Sequence, residues 1–410
     1  MGEYTLLLGA LAALLVGLAA GKAWERYKLR DGRWIDRRRF RDSLHYLQGL
    51  NRLVDRQFDL AIESFSRAAA HHEDAVDVQV VLGNLHREKG QVSRAIQVHQ
   101  HILQRPRLSK TEHQHVLLCL GLDFKRAGFV DRAVEAFHEV LRLDGDNRDA
   151  LANLEELHED QHNWAEAYAI RQRLAALAPP EAQTGHQTIL AFLEHALGQQ
   201  ALAAHDRAEA ERRFEAAIDR DARTVPAYLH LGDVQLAAGN VDEAVATWER
   251  AIDVAPDRAY LTFDRLAAAY ARLEARDRFA TLCRRLTADN PQEWRARLAL
   301  ARHLRGQERA AEAFPLLLEA LAVNPHAITL HQAAWHTLSD LGLDPALVAR
   351  YVEVSRQAVF YQDPHLCLRC HYRSTELLWQ CPHCHDWNSF VEERLAPARD
   401  ESDLPSVSRA

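Results

Sequence analysis

Four cysteines carry the clearest chemical signal in the chain. They form two Cys-x-x-Cys pairs separated by ten residues, namely Cys367, Cys370, Cys381 and Cys384. Each pair places two sulfurs on one side of a tight turn, and two facing turns give a tetrahedral cage of four thiolates. Such a cage suits one zinc or one iron ion, and closed cages are more often structural than catalytic. The pattern therefore predicts a metal-held module at residues 365–392.

The remaining cysteines indicate the redox environment. Only six cysteines occur in 410 residues, and the two outside the quartet, Cys119 and Cys283, lie in apolar helical runs. We predict that both are buried packing residues. This density is not that of a secreted disulfide scaffold, so a disulfide within the quartet is the less favoured alternative. Four thiolates on a metal are expected in the reducing cytosol.

A second motif resembles a catalytic zinc site. Residues 158–162 read His-Glu-Asp-Gln-His, which matches the H-E-x-x-H pattern of zinc proteases. That site needs both histidines on one helical face, and His162 is predicted to lie at a helix end. We therefore predict no catalytic residues. The chain has 23 histidines, and neighbouring ones such as His99 and His101 are expected at the surface.

An apolar segment indicates a membrane anchor. Tyr4 to Gly21 contains no charged residue, and its length is close to the lower limit for crossing a bilayer. Residues 22–42 follow with nine Lys/Arg in a basic juxtamembrane segment, and because the positive charge follows the apolar run we expect an uncleaved single span. The positive-inside rule then predicts an inner-membrane protein with its bulk in the cytoplasm. The net charge of −8 does not favour nucleic acid as a partner.

Internal repeats fill residues 43–340. A glycine or small residue is followed by alanine twelve positions later and by a bulky residue four positions after that, with a period near 34. The clearest unit contains Gly232, Ala244 and Trp248. Longer steps predict inserts or longer helices near 105–110 and 178–187. These features resemble the tetratricopeptide repeat, which implies helical hairpins stacked in an α-solenoid.

Solenoids of this kind hold peptides or protein surfaces in a groove lined by the first helix of each hairpin. By their position in the repeat, four polar residues are predicted to project into that groove: Asn84, Arg87, Lys125 and Arg126. A solvated face is the alternative interpretation of these residues.

The terminal module is too small to fold by apolar burial alone, so the metal must contribute to its stability. We predict a bridging helix at 341–364 before the module and a disordered tail at 393–410. Four aromatic residues are predicted to form a small core beside the metal: Tyr372, Trp379, Trp387 and Phe390. Surface docking of Trp379 or Trp387 is the alternative. His371 and His385 each follow a cysteine pair and are not predicted to be ligands.

The Cys-Pro-His-Cys segment resembles the second metal knuckle of rubredoxin, with a shorter separation between the pairs. The complete order, one span, tetratricopeptide repeats and a reduced rubredoxin-type ribbon, resembles the lipopolysaccharide assembly protein B family of Gram-negative bacteria. The implied fold class is all-α, an α-solenoid with a transmembrane helix and a four-cysteine ribbon. The resemblance implies a non-enzymatic adaptor for the membrane AAA+ metalloprotease that degrades the deacetylase committing sugar nucleotide to lipid A. It also carries the metal-ligand role to the four cysteines.

The residues alone leave several alternatives open. A general scaffold for envelope enzymes of the inner membrane would bind several proteins without changing their turnover. A rubredoxin-type electron carrier would use iron that cycles between two charges. The sequence does not decide between iron and zinc, identify client-binding residues, or decide the oligomeric state, including a homodimer.

Overall fold

We describe a computed structural model of the chain over residues 44–71, 75–342 and 364–393. The predicted anchor, the basic segment, most of the bridging helix and nearly all of the tail lie outside these ranges. Within the described ranges, no helix is both long enough and apolar enough to cross a bilayer. The chain divides into two compact units, residues 1–161 and 162–410.

The described part of the first unit consists of helices that pack as consecutive hairpins, α1 with α2, α3 with α4 and α5 with α6. Their bounds are α1 Leu44–Val54, α2 Phe58–His71, α3 Val76–Glu88, α4 Val92–Leu103, α5 Lys110–Arg126, α6 Val130–Leu143 and α7 Arg148–Asp160. This arrangement confirms the predicted repeat fold.

The second unit continues the same pattern, because α9 packs with α10, α11 with α12, α13 with α14 and α15 with α16. Its helices are α8 Trp164–Leu177, α9 Gln183–Ala203, α10 Arg207–Arg220, α11 Val225–Ala237, α12 Val241–Val254, α13 Phe263–Arg272, α14 Arg276–Asp289, α15 Trp294–Arg305, α16 Ala310–Val323 and α17 Ile328–Asp340. Short 3₁₀ helices at Pro180–Ala182 and Pro256–Thr262 precede α9 and α13.

The ribbon is a small antiparallel sheet in the second unit. Its strands are β1 His365–Cys367, β2 Arg373–Ser374 and β3 Phe390–Glu392, in the order β2-β1-β3. Cys367 pairs with Phe390 across β1 and β3. This register places a cage cysteine at the end of the central strand.

The irregular steps of the repeat have the predicted structural cause. Helix α5 has 17 residues and begins at a capping box, in which the Ser109 hydroxyl accepts the Glu112 N–H while the Glu112 carboxylate accepts the Ser109 N–H. Both groups satisfy donors that a helix start leaves unpaired. Helix α9 has 21 residues and follows a 3₁₀ turn with Pro180 at its first position. Longer first helices therefore account for both long steps.

Close contact between a glycine and an aromatic ring joins the two helices in several of the hairpins. A Cβ atom built on Gly232 would lie 2.2 Å from Trp248 Nε1, and one on Gly121 would lie 2.6 Å from Phe137 Cε1. The same sixteen-residue relation joins Gly198 to Phe214 and Gly49 to Phe65. Only a residue without a side chain leaves room for these rings, so the repeat pattern follows from helix packing.

His99 corrects a prediction. We expected a surface residue, but His99 is fully buried and occupies the aromatic position opposite Gly83. Its Nδ1 lies 2.5 Å from Asp123 Oδ2, and Asp123 Oδ1 accepts a hydrogen bond of 2.8 Å from Arg87. The buried carboxylate therefore has two partners, as buried charges require. The sixteen-residue spacing from Gly83 was the signal that could have identified His99 as a core residue.

Side-chain pairs also join the first helices of successive hairpins in the second unit. Arg265 on α13 forms two hydrogen bonds of 2.8 Å with Asp233 on α11. One hairpin earlier, His195 Nε2 and His230 Nδ1 lie 2.8 Å apart. Burial, together with the charge of His230, lowers the pKa of His195 to about 3, so His195 is neutral at pH 7. Burial also lowers the pKa of His230. Both pairs therefore link consecutive repeats and lie in the interface between their first helices.

Replacing Gly232 by alanine tests the glycine contact. The added methyl group would overlap the Trp248 indole, and overpacking of this kind destabilises by about 1–3 kcal/mol. We expect Gly232→Ala to lower the thermal midpoint measured by circular dichroism. Gly185→Ala is the matched control, because nothing lies within 4 Å of its Cβ position inside α9. The control should hold or raise the midpoint, and equal effects of the two changes would contradict the packing account.

A candidate four-cysteine metal centre

Two matching turns present the four cysteines. The Cys367 N–H donates to Tyr372 O and the His371 N–H donates to Cys367 O, both at 2.9 Å. The second turn repeats this pattern, since Cys381 bonds in the same way to Asp386 and His385 at 2.9 Å. Each turn therefore closes on its own backbone and directs two sulfurs towards the other turn.

His371 and His385 occupy a special backbone position in these turns. Their φ angles are 60° and 56°, in the left-handed region that favours glycine. Each residue directly follows the second cysteine of its pair. Both histidines therefore help to close the turns. That neither histidine is a metal ligand remains a prediction.

The sulfur positions fit a tetrahedral ion. All four Sγ atoms lie within 4.8 Å of one another, with Cys367 and Cys384 separated by 3.7 Å and Cys370 and Cys381 by 3.6 Å. Four sulfurs placed 2.3 Å from a central ion would be about 3.8 Å apart. The cluster therefore has the donor atoms and the spacing to hold a metal ion.

Burial and hydrogen bonding differ around the cage. Cys367 and Cys381 are fully buried, whereas Cys370 and Cys384 are partly exposed. Burial raises the pKa of Cys367, but hydrogen bonds from the Ser389 hydroxyl and from nearby backbone N–H groups outweigh it and lower the pKa to about 6. At Cys384, burial and the neighbouring thiols raise the pKa to about 12. A bound ion would deprotonate all four groups.

The aromatic residues of the ribbon divide into two sets. Phe390 is 1 % exposed and packs with Cys367 and Cys381, as predicted for the small core. Tyr372 lies at its edge, 6.5 Å from Phe390 between ring centroids, and is 40 % exposed. Trp379 and Trp387 are not part of this core, which corrects the prediction for these two residues.

Both tryptophans instead pack against the repeat helices. The Trp387 ring stacks on Phe192 of α9 at 5.4 Å and meets Trp164 of α8 edge-on at 6.4 Å. Trp379 lies 6.2 Å from the same Phe192 ring. Aromatic contacts of this kind add about 0.5–1.5 kcal/mol beyond their buried area. The alternative interpretation of these tryptophans, docking, is therefore the correct one, and the docking is intramolecular.

Arg258 joins the ribbon to the helices at a second point. Its guanidinium donates to Asn388 Oδ1 at 2.6 Å and to Phe390 O at 3.4 Å, and it lies 5.1 Å from the centre of the Trp379 ring. Arg295 of α15 pairs with Glu392 and lies over Tyr260 at 4.3 Å. Both arginine side chains are less than one-fifth exposed. Sequence reasoning missed both arginines, because they lie about a hundred residues or more from their partners in the chain.

The predicted groove residues lie in the first unit. Arg87, Lys125 and Arg126 line a shallow cavity of about 460 Å³ together with Glu88 and Leu122. Asn84 does not line it. Three of the four residues therefore line the cavity and Asn84 contacts one of them, Arg87. Their role as client-binding residues stays a prediction.

Two of these residues already have partners within the chain. Arg87 is held by Asn84 and Asp123 at 2.8 Å each, and Lys125 lies 2.7 Å from Glu156. Arg126 is exposed. A ligand that binds Lys125 in this cavity must therefore compete with the Lys125–Glu156 ion pair. A ligand can contact the exposed side chain of Arg126 directly.

The H-E-x-x-H match does not form a helical site. Helix α7 ends at Asp160, and His162 follows it with a φ of 58°. The two histidines therefore do not share one helix, as the repeat register predicted.

Comparison with known proteins gives matches to both modules. Residues 365–392 match the family model described as rubredoxin metal binding domain, and residues 46–105 and 195–260 match that of the tetratricopeptide repeat. Lipopolysaccharide assembly protein B of Escherichia coli K12 is 25% identical over 354 residues, 85% of this chain and 88% of that protein. Its Haemophilus influenzae counterpart is 25% identical over 92% of this chain and 97% of that protein.

This chain is similar to lipopolysaccharide assembly protein B over most of its length. The resemblance inferred from the three-part order is thereby confirmed. Among solved structures, a tetratricopeptide repeat protein from Parabacteroides merdae covers 72% of this chain and 97% of that chain at 14% identity, with a TM-score of 0.34. A score this low supports no further comparison.

Glycine substitution at the two turn histidines tests the ligand set. His371→Gly and His385→Gly relieve a left-handed conformation that costs a residue with a side chain about 1 kcal/mol. We expect both variants to keep one metal per chain, measured by inductively coupled plasma mass spectrometry, whereas Cys370→Ser should bind less. Loss of metal in either glycine variant would show that the histidine is a ligand.

A double-mutant cycle tests the Arg258 anchor. Hydrogen bonds to charged groups contribute about 1.5–3 kcal/mol, and the Arg258–Asn388 bond is partly buried. We therefore expect Arg258→Ala and Asn388→Ala to couple by at least about 1 kcal/mol in denaturant unfolding. Arg285 and Asp253 form the control pair, 3.8 Å apart and largely exposed, and should couple weakly. Equal coupling in the two cycles would refute the anchor.

Proposed function

We propose that this chain is a membrane-tethered, non-catalytic adaptor that regulates lipopolysaccharide assembly. The observation that carries the proposal is the similarity to lipopolysaccharide assembly protein B across repeats and ribbon, over 92% of this chain and 97% of the Haemophilus influenzae protein. A likeness restricted to the repeats would indicate only a protein-binding array. The joint match supports a function that needs both modules.

The adaptor promotes degradation of the deacetylase that commits sugar nucleotide to lipid A. In this proposal the partner is the membrane AAA+ metalloprotease, and residues 1–21 hold the adaptor at the inner membrane beside it. Tethering supports the proposal physically, because confinement raises the effective concentration of two membrane-bound partners. The repeats supply the binding surface, and the first-unit cavity with its exposed Arg126 offers a positively charged part of that surface.

The metal in this proposal is one iron or zinc ion with a structural role. When bound, the ion holds the four thiolates together and so stabilises a ribbon too short to fold by apolar burial. The chain's own residues hold the ribbon in place, since Trp379, Trp387 and Asn388 contact Phe192 and Arg258 in the repeat part of the second unit. The ribbon thus adds a rigid surface beside the repeats.

The half-life of the deacetylase in cells tests the proposal. Deleting the gene should lengthen that half-life severalfold after synthesis is blocked, and the wild-type chain should restore it. A chain with Cys367→Ser and Cys370→Ser should restore it poorly, whereas the surface control Arg285→Ala should act as wild type. An unchanged half-life in the deletion strain would reject the adaptor function.

Two further strains separate the alternatives. A chain lacking residues 1–21 at equal abundance should restrain lipopolysaccharide synthesis less than the full chain, and equal restraint would show that tethering is not required. A general scaffold would co-purify with several biosynthetic enzymes and leave every half-life unchanged. An electron carrier would lose its function when zinc replaces iron.

A further inference from the structure

Ser389 lies where the ribbon's cage and its docking contacts meet. The residue is 7 % exposed, and its hydroxyl oxygen lies 3.2 Å from Cys367 Sγ. Its backbone carbonyl accepts the Leu368 N–H at 2.9 Å, within the first cysteine turn. Ser389 is not one of the four predicted ligands, and the two contacts place it against the turn that presents Cys367.

The hydroxyl hydrogen has two neighbouring acceptors. The Asp386 carbonyl oxygen lies 3.4 Å away, at the outer limit of a hydrogen bond, whereas the Cys367 sulfur lies at an ordinary distance for an O–H···S contact. When a metal is bound, the sulfur is a thiolate, and hydrogen bonds to charged acceptors are about twice as strong as neutral ones. With a metal bound, the hydrogen would therefore be directed to the sulfur.

Burial gives this contact its importance. Cys367 is fully buried, so water cannot solvate its negative charge. Cys370 and Cys384 are partly exposed and can be hydrated. A buried charge without a hydrogen-bond donor carries a large desolvation penalty, and the Ser389 hydroxyl adds a side-chain donor to the backbone N–H groups that reach the same sulfur.

We propose that Ser389 is a positioning residue of the metal cage, whose hydroxyl donates a hydrogen bond to the Cys367 thiolate and thereby sets how firmly and in which charge state the cage holds its metal. Partners of metal ligands commonly change metal affinity by 10–100-fold when they are removed. Hydrogen bonds to the sulfurs of iron–sulfur sites also set their reduction potentials.

The neighbours of Ser389 connect this bond to the repeats. Trp387 stacks on Phe192, while Asn388 and the carbonyl of Phe390 accept hydrogen bonds from Arg258. Ser389 lies between these contacts, with its hydroxyl at the Cys367 sulfur. The docked helices thereby hold the hydroxyl at the sulfur, which is the preorganisation that an effective partner of a ligand requires.

The test compares three variants of the full-length chain in detergent, each loaded separately with iron and with zinc. Ser389→Ala removes the hydroxyl and Ser389→Thr keeps it. Ser374→Ala is the matched control, because Ser374 lies on β2 of the same sheet and its hydroxyl accepts only a local N–H, that of Glu376, at 3.1 Å. The readouts are the iron midpoint potential and the rate of zinc transfer to a chelator.

We expect Ser389→Ala to lower the midpoint potential. In the wild-type chain the hydroxyl stabilises the reduced cage, which is more negatively charged than the oxidised cage, and the alanine variant lacks this stabilisation. A tenfold change in the relative affinity for the two iron states corresponds to about 59 mV for a one-electron couple. Zinc transfer should become about tenfold faster. The Ser389→Thr and Ser374→Ala chains should behave as wild type.

An unchanged midpoint potential in Ser389→Ala would overturn the proposal, since a purely structural serine would alter stability but not the relative energy of two iron states. If the alanine variant takes up no metal, Ser389→Thr decides the question. A wild-type potential and transfer rate in the threonine chain supports the hydroxyl's role, and loss of metal there as well refutes it.

Discussion

The ribbon is too small to stand alone, and this constraint shapes the second half of the molecule. About 28 residues cannot bury enough apolar surface to offset the entropy of folding. Phe390 and two cysteines are the fully buried centre of the described ribbon. The two available sources of additional stability are an ion held by the four cysteines and contact with the repeat helices. The four sulfurs can hold the ion, and the aromatic and arginine contacts attach the ribbon to the helices.

These two supports are physically linked through residues 387–390. The segment leaves the second cysteine turn, lays Trp387 on Phe192, meets Arg258 and then enters β3 opposite Cys367. A change at the cage is therefore expected to reach the docking surface within a few residues. A metal ion bound by the four cysteines would therefore have a structural role, because it would hold the surface that the ribbon and the repeats form together.

Much of this arrangement could be predicted from local sequence patterns. The cysteine spacing identified the cage because metal geometry constrains residues that are close in the chain. The glycine and aromatic positions identified the repeats because helix crossing repeats the same contact at a constant spacing, as at Gly232 and Trp248. The burial of His99 was not predicted, because a histidine occupies the position where the other glycine-containing repeats have phenylalanine or tryptophan. The spacing from Gly83 nevertheless specified that position.

The docking contacts could not be predicted in this way. The sequence predicts Trp379 and Trp387 in the ribbon core, since a small module needs apolar residues. It does not show which other surface could cover them. Arg258 and Asn388 are 130 residues apart, and no periodicity relates them. The sequence also contains many arginines in the repeats, so no composition signal distinguishes Arg258 or Arg295 from those that form ordinary surface ion pairs.

Hydrogen exchange on the full-length chain, with and without its metal, tests the linkage between cage and docking most directly. Our account predicts that metal removal exposes residues 365–392 and, at the same time, the helical segments around Phe192 and Arg258, while helices α1–α6 keep their protection. Exposure of the ribbon alone, with unchanged exchange around Phe192 and Arg258, would contradict the claim that the metal-held ribbon forms one surface with the repeats.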